Sequence, residues 1–367
     1  MTTRRASPET QVRDEAAESE AWLESPVIPK YSTSTYGADY PVESLARRMT
    51  SDPDDETADI YIPSFQRGYV WTKPQADRFI ESLLLGLPVP GIFLWKDPES
   101  QRLAVIDGSQ RLRTIKFFYE NSIRGSDFAL DRVHPDFAGR MYKTLKDADR
   151  RRLDDSIIHA SVVRQDSPDD EHSSIFYIFQ RLNTGGSPAQ PQEIRNAIYH
   201  GRLNDLLAEL DDNGAWRAIF GPRSNRRKDQ ELVLRFLALR FAGARYTAPM
   251  QEFLNRFMRV NRDPSASKLR GFRDAFADSI ALVHDAVGDR AFRPQRALNA
   301  AAFDAVMVGT ATRLAQGPVT SVDAFARAYQ RLLQNARFRD ATTTGTSQDQ
   351  NVEARLRIAV RAFRSVR

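Results

Sequence analysis

The stretch LAVIDGSQRLRTIKFFY, residues 103–119, carries the clearest structural signal in the sequence. Its apolar run LAVID is short and bounded by turn residues, which predicts a buried strand over residues 103–107. Gly108 then turns the chain, and apolar residues at helical spacing predict a helix over residues 109–119. The polar residues of DGSQR therefore gather at the point where a strand becomes a helix.

The segments before this stretch predict further strands and helices of the same unit. YIPSFQRGYVW (61–71) is interpreted as a short strand, a turn and a cluster of one arginine with aromatic residues. Thr72 is a plausible N-cap for a helix that Gly86 ends. GIFLW (91–95) predicts a second buried strand, joined to residues 103–107 by a hairpin loop. Together these segments predict a mixed unit of strands and helices.

The rest of the chain predicts a second, helical domain after a boundary near residue 203. Before that boundary we expect a strand at 157–163 and helices near 147–154, 173–186 and 190–201. After it, periodic apolar residues predict helices at 229–243, which Asp229 would cap, and at 249–261, 268–287, 295–315, 321–337 and 350–366. The fold class is α+β, with a disordered acidic segment (1–26), a small mixed-sheet domain (27–203) and an all-helical domain (204–367).

Composition excludes several classes of protein. Of the 367 residues, 41% are hydrophobic and 28% are charged, which is enough apolar material for a sizeable core. No run approaches the roughly 20 apolar residues that a membrane-spanning helix needs. The first 26 residues contain no apolar segment of the kind that a secretory signal has, so we expect none. The sequence has no cysteine, which excludes disulfides and thiolate metal sites. We expect a cytoplasmic protein with no membrane partner; a homo-oligomer is left open.

Charge is distributed unevenly along the chain. The formal net charge is +5, and residues 1–26 hold three arginines and six acidic residues, so the remaining residues carry +8. A basic body suits a polyanionic partner such as DNA or RNA, although such a value is also common among soluble proteins.

The DGSQR segment has the residue types of a phosphate site. The first turn of a helix presents free N–H groups and attracts anions. Gly108 would let a ligand approach the backbone, and the planar guanidinium of Arg111 suits phosphate oxygens. Gln110 can donate or accept, and Asp107 would hold Mg²⁺, orient a water or fix the arginine. The structural alternative is that Asp107 caps the helix and pairs with Arg111.

Two further segments suggest ligand contacts. Arg67 would make a second phosphate contact beside Arg111, with Phe65, Tyr69 and Trp71 stacking on a base or on the guanidinium. The alternative places these aromatic side chains in the core and Arg67 in a surface ion pair. Asn183, at the end of the predicted 173–186 helix, would either terminate that helix or reach a ligand.

Basic residues cluster twice in the helical domain. RSNRRKD (223–229) precedes a predicted helix and would contact a nucleic-acid backbone through Arg223, Arg226, Arg227 and Lys228. The last predicted helix carries a basic stripe of Arg357, Arg361 and Arg364 beside the apolar residues Leu356, Val360 and Phe363. Either cluster is equally consistent with a solvated helix face. The sequence has no GxxxxGK[ST] loop and no GxSxG motif, and its five histidines show no metal-ligand spacing.

These motifs, taken in order, resemble a known family. IPSFQRGYVW, LLLGLPVPGIFLW, VIDGSQRLRTI, FQRLNTGG, QEIRNAIYHG and KDQELVLRFLAL are similar to the N-terminal domain of GmrSD-type, modification-dependent restriction enzymes, over about residues 60–243. The resemblance implies a ParB/sulfiredoxin-like fold with a signature usually written DGQQR. It also implies a domain that binds and hydrolyses an NTP (ATP or GTP), with Mg²⁺ as a further expected cofactor, and that licenses DNA cleavage.

The resemblance assigns roles residue by residue. Asp107, Gln110 and Arg111 match the signature and are the expected catalytic residues, and Gly108, Ser109 and Arg111 the expected nucleotide-binding ones. Arg67 matches the first motif, Asn183 the fourth, and Glu193, Arg195 and Asn196 the fifth. Ser109 replaces a family glutamine, and serine has a shorter reach, so hydrolysis here could be weak while binding survives.

A second departure concerns the nuclease. Many relatives carry an HNH nuclease domain, which needs several histidines, whereas only His284 follows residue 203. The sequence is therefore consistent with three alternative functions. The first is a nucleotide sensor that acts with DNA and a separate nuclease or other defence-system subunit. The second is a non-enzymatic DNA-binding scaffold of such a system. The third is a nuclease that uses the DGSQR site or the Glu193 region.

Overall fold

The computed structural model describes residues 32–50, 57–63, 68–97, 100–167, 178, 190–224 and 226–367. The chain divides into two compact units, Lys30–Ile198 and a second one that includes Tyr199–Arg367. The first unit is built on a mixed β-sheet and the second is helical, so the predicted α+β class is confirmed. The predictions for residues 1–26 lie outside the described residues, as does all of the 173–186 helix except residue 178.

The first unit contains a six-stranded sheet in the order β1-β8-β4-β5-β3-β2. Its β4 and β5 form the predicted hairpin and are antiparallel, β1 is antiparallel to β8, and the other neighbours are parallel. Its elements are β1 (Ser32–Pro41), α1 (Val42–Arg48), β2 (Met49–Thr50), β3 (Ile60–Tyr61), α2 (Lys73–Leu85), β4 (Ile92–Lys96), β5 (Leu103–Asp107), α3 (Ser109–Tyr119), β6 (Ser122–Ile123), β7 (Ser126–Asp127), a 3-10 turn (Tyr142–Thr144), α4 (Asp147–Asp154), β8 (Ile157–Ser167) and α5 (Pro191–Ile198).

Strand β5 is apolar along its length because both of its faces are covered. Leu103 and Val105 belong to the main core on one face, together with Leu83 of α2 and Leu112 of α3. Ala104 and Ile106 point to the opposite face, where they cluster with Trp95 and with Ile194 of α5. Successive side chains of a strand alternate between faces, so a continuous apolar run is the pattern expected of a strand covered twice.

Local sequence signals position α2. The side-chain oxygen of Gln75 accepts a hydrogen bond from the backbone N–H of Thr72 (2.9 Å), which is one half of a capping box. Pro74 lies in the first turn, where a missing N–H costs nothing. Gly86 ends the helix with φ 70°, a left-handed conformation that favours glycine. The predicted start and end of this helix are both confirmed.

The second unit consists of helices. They are α6 (Arg202–Asp211), α7 (Gly214–Phe220), α8 (Lys228–Ala242), a 3-10 turn (Gly243–Arg245), α9 (Met250–Val260), α10 (Ala266–Val287), α11 (Ala300–Leu314), α12 (Val322–Gln334), α13 (Ala336–Thr343) and α14 (Asp349–Phe363). Within the described residues, no helix combines the length and apolar character that crossing a bilayer requires.

A buried ionic cluster joins three of these helices. Asp304 of α11 accepts two hydrogen bonds from Arg235 of α8 (3.1 and 2.6 Å) and one from Arg355 of α14 (2.9 Å). The side chains of Asp304 and Arg355 are fully buried. A buried carboxylate requires such partners, because an isolated charge in a core is costly.

The structure corrects three predicted helix boundaries, two in this unit and one at the end of α5 in the first unit. The predicted 321–337 helix divides at Asn335, whose side chain accepts from the N–H of Phe338 (2.9 Å) and so begins α13. The helix predicted to begin at 295 begins at Ala300, capped by Asn299. The helix predicted to run to Gly201 ends at Ile198, and Gly201 instead precedes α6, packed so tightly that an added Cβ would lie 2.7 Å from Arg262.

Candidate nucleotide site at the start of helix α3

Gly108 connects β5 to α3 in a conformation that only glycine readily adopts. Its φ is 100°, and a Cβ placed on it would lie 2.5 Å from the Cγ2 methyl of Ile92 on the neighbouring strand β4. The approach of a ligand to this glycine stays a prediction. Packing is an independent reason for glycine here, because the junction lies directly against β4 and has no room for a side chain.

The guanidinium of Arg111 is held on two sides. Its Nη2 donates to the carboxylate Oδ2 of Asp107 (2.6 Å), one helical turn away. Its Nη1 donates to the carbonyl oxygens of Pro90 (2.7 Å) and Gly91 (2.6 Å). The pairing of Asp107 with Arg111 is thus the one expected in the structural alternative. It fixes the segment that leads into β4 against the start of α3.

Gln110 holds a second loop through both ends of its amide. Its Oε1 accepts from the backbone N–H groups of Val70 (2.9 Å) and Trp71 (3.3 Å), and its Nε2 donates to the carbonyl of Gly68 (3.2 Å). The amide orientation follows from this network. The motif that contains Arg67 therefore lies beside the DGSQR motif, as expected, although Arg67 itself lies outside the described residues.

The aromatic residues of the 68–71 loop pack into the unit. Tyr69 contacts Phe117 edge-on (5.0 Å between centroids), and Trp71 contacts Phe79 (5.5 Å). The Tyr69 hydroxyl hydrogen-bonds to Thr114 (2.8 Å), and burial raises the pKa of Tyr69, so the phenol is protonated at neutral pH. For these two rings, the core alternative is the one observed.

The N-terminus of α3 has no side-chain cap. Gly108 occupies the cap position, and the first backbone hydrogen bond runs from Leu112 N–H to its carbonyl (3.0 Å). The structural alternative required Asp107 to cap the helix, and Asp107 does not do so. Ser109 and Gln110, the first residues of this turn, are both partly exposed. Free N–H groups in the first turn of a helix bind anions.

Among the described residues, one oxygen of the Asp107 carboxylate has no hydrogen-bond partner. Arg111 uses Oδ2, and 45% of the Asp107 side chain is exposed beside the uncapped turn. An exposed carboxylate oxygen is a ligand type that Mg²⁺ accepts, usually together with waters and phosphate oxygens. The residues present therefore fit a magnesium nucleotide, and within the described residues no group of three or more histidine or acidic side chains forms a separate metal cluster.

The remaining predicted residues of this domain lie elsewhere or form local contacts. Asn183 is outside the described residues. In α5, Glu193 accepts from the backbone N–H of Gln190 (2.6 Å), and fully buried Arg195 donates to Gln192 (3.1 Å). Gln192 also donates to Asn196 (2.7 Å). These contacts lie within α5 or at its start and stabilise the helix.

The basic segment 223–228 forms the loop before α8 in the helical unit. Arg223 is exposed and forms an ion pair with Asp212, and Arg227 donates to Gln230 (3.0 Å). Arg226 and Lys228 lie at half-buried positions of the same loop and helix start. Arg227, at φ 54°, occupies the cap position. The prediction that Asp229 caps α8 is wrong.

Asp229 lies instead in the first turn of α8, where its buried carboxylate binds the loop that precedes the helix. Its Oδ2 accepts from Ser224 N–H (2.9 Å) and from Arg217 Nη1 (3.1 Å). Arg217 also reaches Asp211, which accepts from Trp216 Nε1 (3.2 Å). Burial, together with the nearby Asp229 charge, raises the pKa of Asp211 to about 6. The basic loop is therefore anchored by a buried acidic pair.

A comparison with known families finds a match that covers most of the first unit. Residues 48–200 match the family model of the GmrSD restriction endonuclease, N-terminal domain. The resemblance seen in the motifs is thereby confirmed for this range, which is less than half of the chain. A search of curated proteins finds no match for the chain. The match supports a place for the chain in a restriction or defence system.

Several contacts of the first unit could not be predicted from the sequence. The carbonyls of Pro90 and Gly91 bind Arg111, and Arg124 donates to the carbonyls of Tyr69 (2.9 Å) and Trp71 (3.3 Å). Backbone acceptors leave no trace in residue identity. Arg124 lies in the turn between β6 and β7 with φ 51°, a left-handed conformation that an arginine in the sequence does not predict.

Proposed function

We propose that the GmrSD N-terminal domain of this chain binds a nucleoside triphosphate, ATP or GTP, at the start of α3 and hydrolyses it. The chain would act as the nucleotide sensor of a restriction or defence system, together with DNA and a separate nuclease subunit. The uncapped first turn of α3 is the observation that carries the proposal, because its N–H groups lie between two loops that the same turn holds in place.

The contacts suggest a separate role for each residue at the proposed nucleotide site. Phosphate oxygens would accept from the N–H groups of the first turn, and the free oxygen of Asp107 would orient Mg²⁺ or the attacking water. Arg111 and Gln110 are already engaged by the two loops, so we assign them positioning roles. Arg67 immediately precedes, in the sequence, the loop that Gln110 holds, and it is proposed as the second phosphate contact. Magnesium, when bound, would neutralise phosphate charge.

Ser109 determines the rate of nucleotide hydrolysis that we expect of this chain. The family signature has glutamine at this position, and the serine hydroxyl extends about two bonds less far from the backbone. If that glutamine orients the water, turnover by this chain is slow while nucleotide affinity is retained. A Ser109→Gln variant would then raise turnover without changing the nucleotide Kd, and an unchanged rate would remove this role for the position.

The decisive experiment compares Asp107→Asn with wild type. Asparagine keeps an oxygen acceptor for Arg111 and loses the negative charge, so the fold is retained while the metal- or water-orienting charge is lost. Binding of fluorescent ATP and GTP analogues and phosphate release are measured with and without Mg²⁺ and duplex DNA. We expect turnover to fall by about 10²–10⁴-fold. Asp127→Asn, an exposed position on β7, is the charge-matched control.

The outcomes separate the proposals. Magnesium-dependent turnover that Asp107→Asn abolishes and Asp127→Asn leaves intact supports the sensor function. Turnover that is independent of magnesium, or equal in both variants, contradicts it. Wild-type protein that binds no nucleotide would show that DGSQR is a structural junction.

A second candidate is a DNA-binding scaffold without turnover. The observation that favours it is the engagement of Arg111 and Gln110 by backbone groups, since a junction with a purely structural task would look the same. This candidate predicts salt-dependent DNA binding through residues 223–228 with no nucleotide hydrolysis. The third candidate, direct cleavage, predicts nicking of plasmid by the purified chain with Mg²⁺ or Mn²⁺.

A further inference from the structure

A groove on the helical unit has an apolar floor and a basic rim. It lies between the end of α8, the 3-10 turn that follows, and α14, and it has a volume of about 910 Å³. Its floor includes Phe241, which is 42% exposed, and the half-buried side chains of Leu356 and Val360. Apolar side chains exposed together in a concave surface indicate a binding surface.

Four arginines surround this floor, and their charge is only partly balanced. Arg357 forms an ion pair with Glu353 (3.6 Å). Among the described residues, Arg361 and Arg364 form no ion pair. The Nε of Arg240 is buried without a hydrogen-bond partner, and its guanidinium lies over the Phe241 ring (5.3 Å). The groove thus has net positive charge beside exposed apolar surface.

One segment of the same chain has the complementary composition. Residues 13–26 read RDEAAESEAWLESP, with the apolar pair Trp22–Leu23 between Glu20 and Glu24 and further carboxylates before it. Residues 1–26 hold six carboxylates against three arginines and so have a net negative charge, and this acidic segment is the one that also contains a tryptophan. Trp22 and Leu23 match the apolar floor, and the glutamates match the rim.

We propose that the groove between α8 and α14 binds the acidic segment around Trp22–Leu23 of this chain. Apolar burial of the tryptophan would supply affinity, and the glutamates would set the orientation by pairing with Arg361 and Arg364. Nucleic acid is the less favoured occupant, because an apolar floor gains nothing from a phosphate backbone. The proposal is independent of nucleotide binding at α3.

The test uses the full chain with Trp22 replaced by the photoreactive amino acid p-benzoylphenylalanine. After irradiation, the cross-linked peptides are identified by mass spectrometry. We expect cross-links to Phe241, Leu356 and Val360. Reversal of two rim charges, Arg361→Glu with Arg364→Glu, should lower their yield about fivefold. Arg327→Glu with Arg331→Glu, two exposed positions one turn apart on α12, is the matched control and should leave the yield unchanged.

Each outcome decides the proposal. Cross-links within a single chain or between two chains, separated by gel electrophoresis, both support it and show whether the segment binds its own groove or that of a second copy. Cross-links elsewhere, or a yield that the rim reversal leaves unchanged, overturn it. If the rim reversal weakens duplex DNA binding in a gel-shift assay but leaves the cross-links intact, the groove is a nucleic-acid surface and the proposal is wrong.

Discussion

Arg111 Nη2 donates to Asp107 Oδ2 at 2.6 Å, and this contact joins the last residue of β5 to the first turn of α3. The same guanidinium binds the carbonyls of Pro90 and Gly91, so one side chain connects three segments of the chain. Within this unit, Arg111 is therefore a structural anchor whatever ligand the site takes.

Replacing Arg111 by alanine should lower the free energy of unfolding by about 1–3 kcal/mol. The change leaves the two carbonyls and the Asp107 carboxylate without their donor, and the cost comes from those unsatisfied groups. Urea unfolding followed by circular dichroism measures it. Arg132→Ala, an exposed arginine of the same unit, is the control. Equal midpoints for the two variants would contradict the anchoring role.

Gly108→Ala should be more destabilising than Gly125→Ala. Both glycines have positive φ, at 100° and 79°, so both substitutions strain the backbone by roughly 1–2 kcal/mol. Only at Gly108 does the new Cβ meet another side chain, at 2.5 Å from Ile92; at Gly125 nothing lies within 4 Å. We expect an additional loss of about 1–3 kcal/mol at Gly108. Equal effects in thermal unfolding would show that Ile92 moves aside freely.

Gln110→Ala should release the 68–71 loop without unfolding the unit. The N–H groups of Val70 and Trp71 would lose their acceptor, so their hydrogen exchange should accelerate about tenfold, which corresponds to roughly 1.4 kcal/mol. Thr114→Val removes only the hydroxyl partner of Tyr69 and is the control. If both variants accelerate these two amides equally, Gln110 is not the group that holds the loop.

Asp211 should make stability depend on pH. Its pKa of about 6 in the folded chain is above the ordinary aspartate value, so the folded state binds more protons than the unfolded state between about pH 4 and 6. The free energy of unfolding therefore falls as pH rises through this window, and the full loss persists above pH 6. Asp211→Asn keeps an acceptor for Trp216 and Arg217 and should flatten this dependence. Urea unfolding at pH 4.5 and 7 tests it, and parallel curves for the two proteins would contradict the assignment.

Asp304→Asn should cost more than Arg355→Met. Asparagine would leave two buried arginines without a counter-charge, a loss of about 3–5 kcal/mol. Methionine would leave Asp304 paired with Arg235, and burial already lowers the pKa of Arg355, so its charge is the more costly one to keep. Chemical unfolding of both variants gives the comparison. A larger loss for Arg355→Met would contradict this ranking.

Sequence reasoning located the elements of the candidate site but not the contacts among them. The bounds of β5 and α3 agree with the prediction, because an apolar run, a glycine and a helical period are all local signals. The packing of Gly108 against Ile92 could not be predicted, since Ile92 is brought close only by the pairing of β4 with β5. Asp229 was misplaced for a similar reason, because the left-handed conformation of Arg227 depends on the folded loop.

The first turn of α3 holds two separate loops through adjacent side chains, Gln110 on one and Arg111 on the other. A contact of this kind works in both directions. Any partner that displaces the 68–71 loop or the Pro90–Gly91 segment must also disturb the turn between them, and an anion that stiffens the turn must stiffen both loops. Thermodynamic reciprocity then requires the two effects to be equal in free energy. The conformations of the two loops and of the first turn of α3 are thus coupled in a single equilibrium.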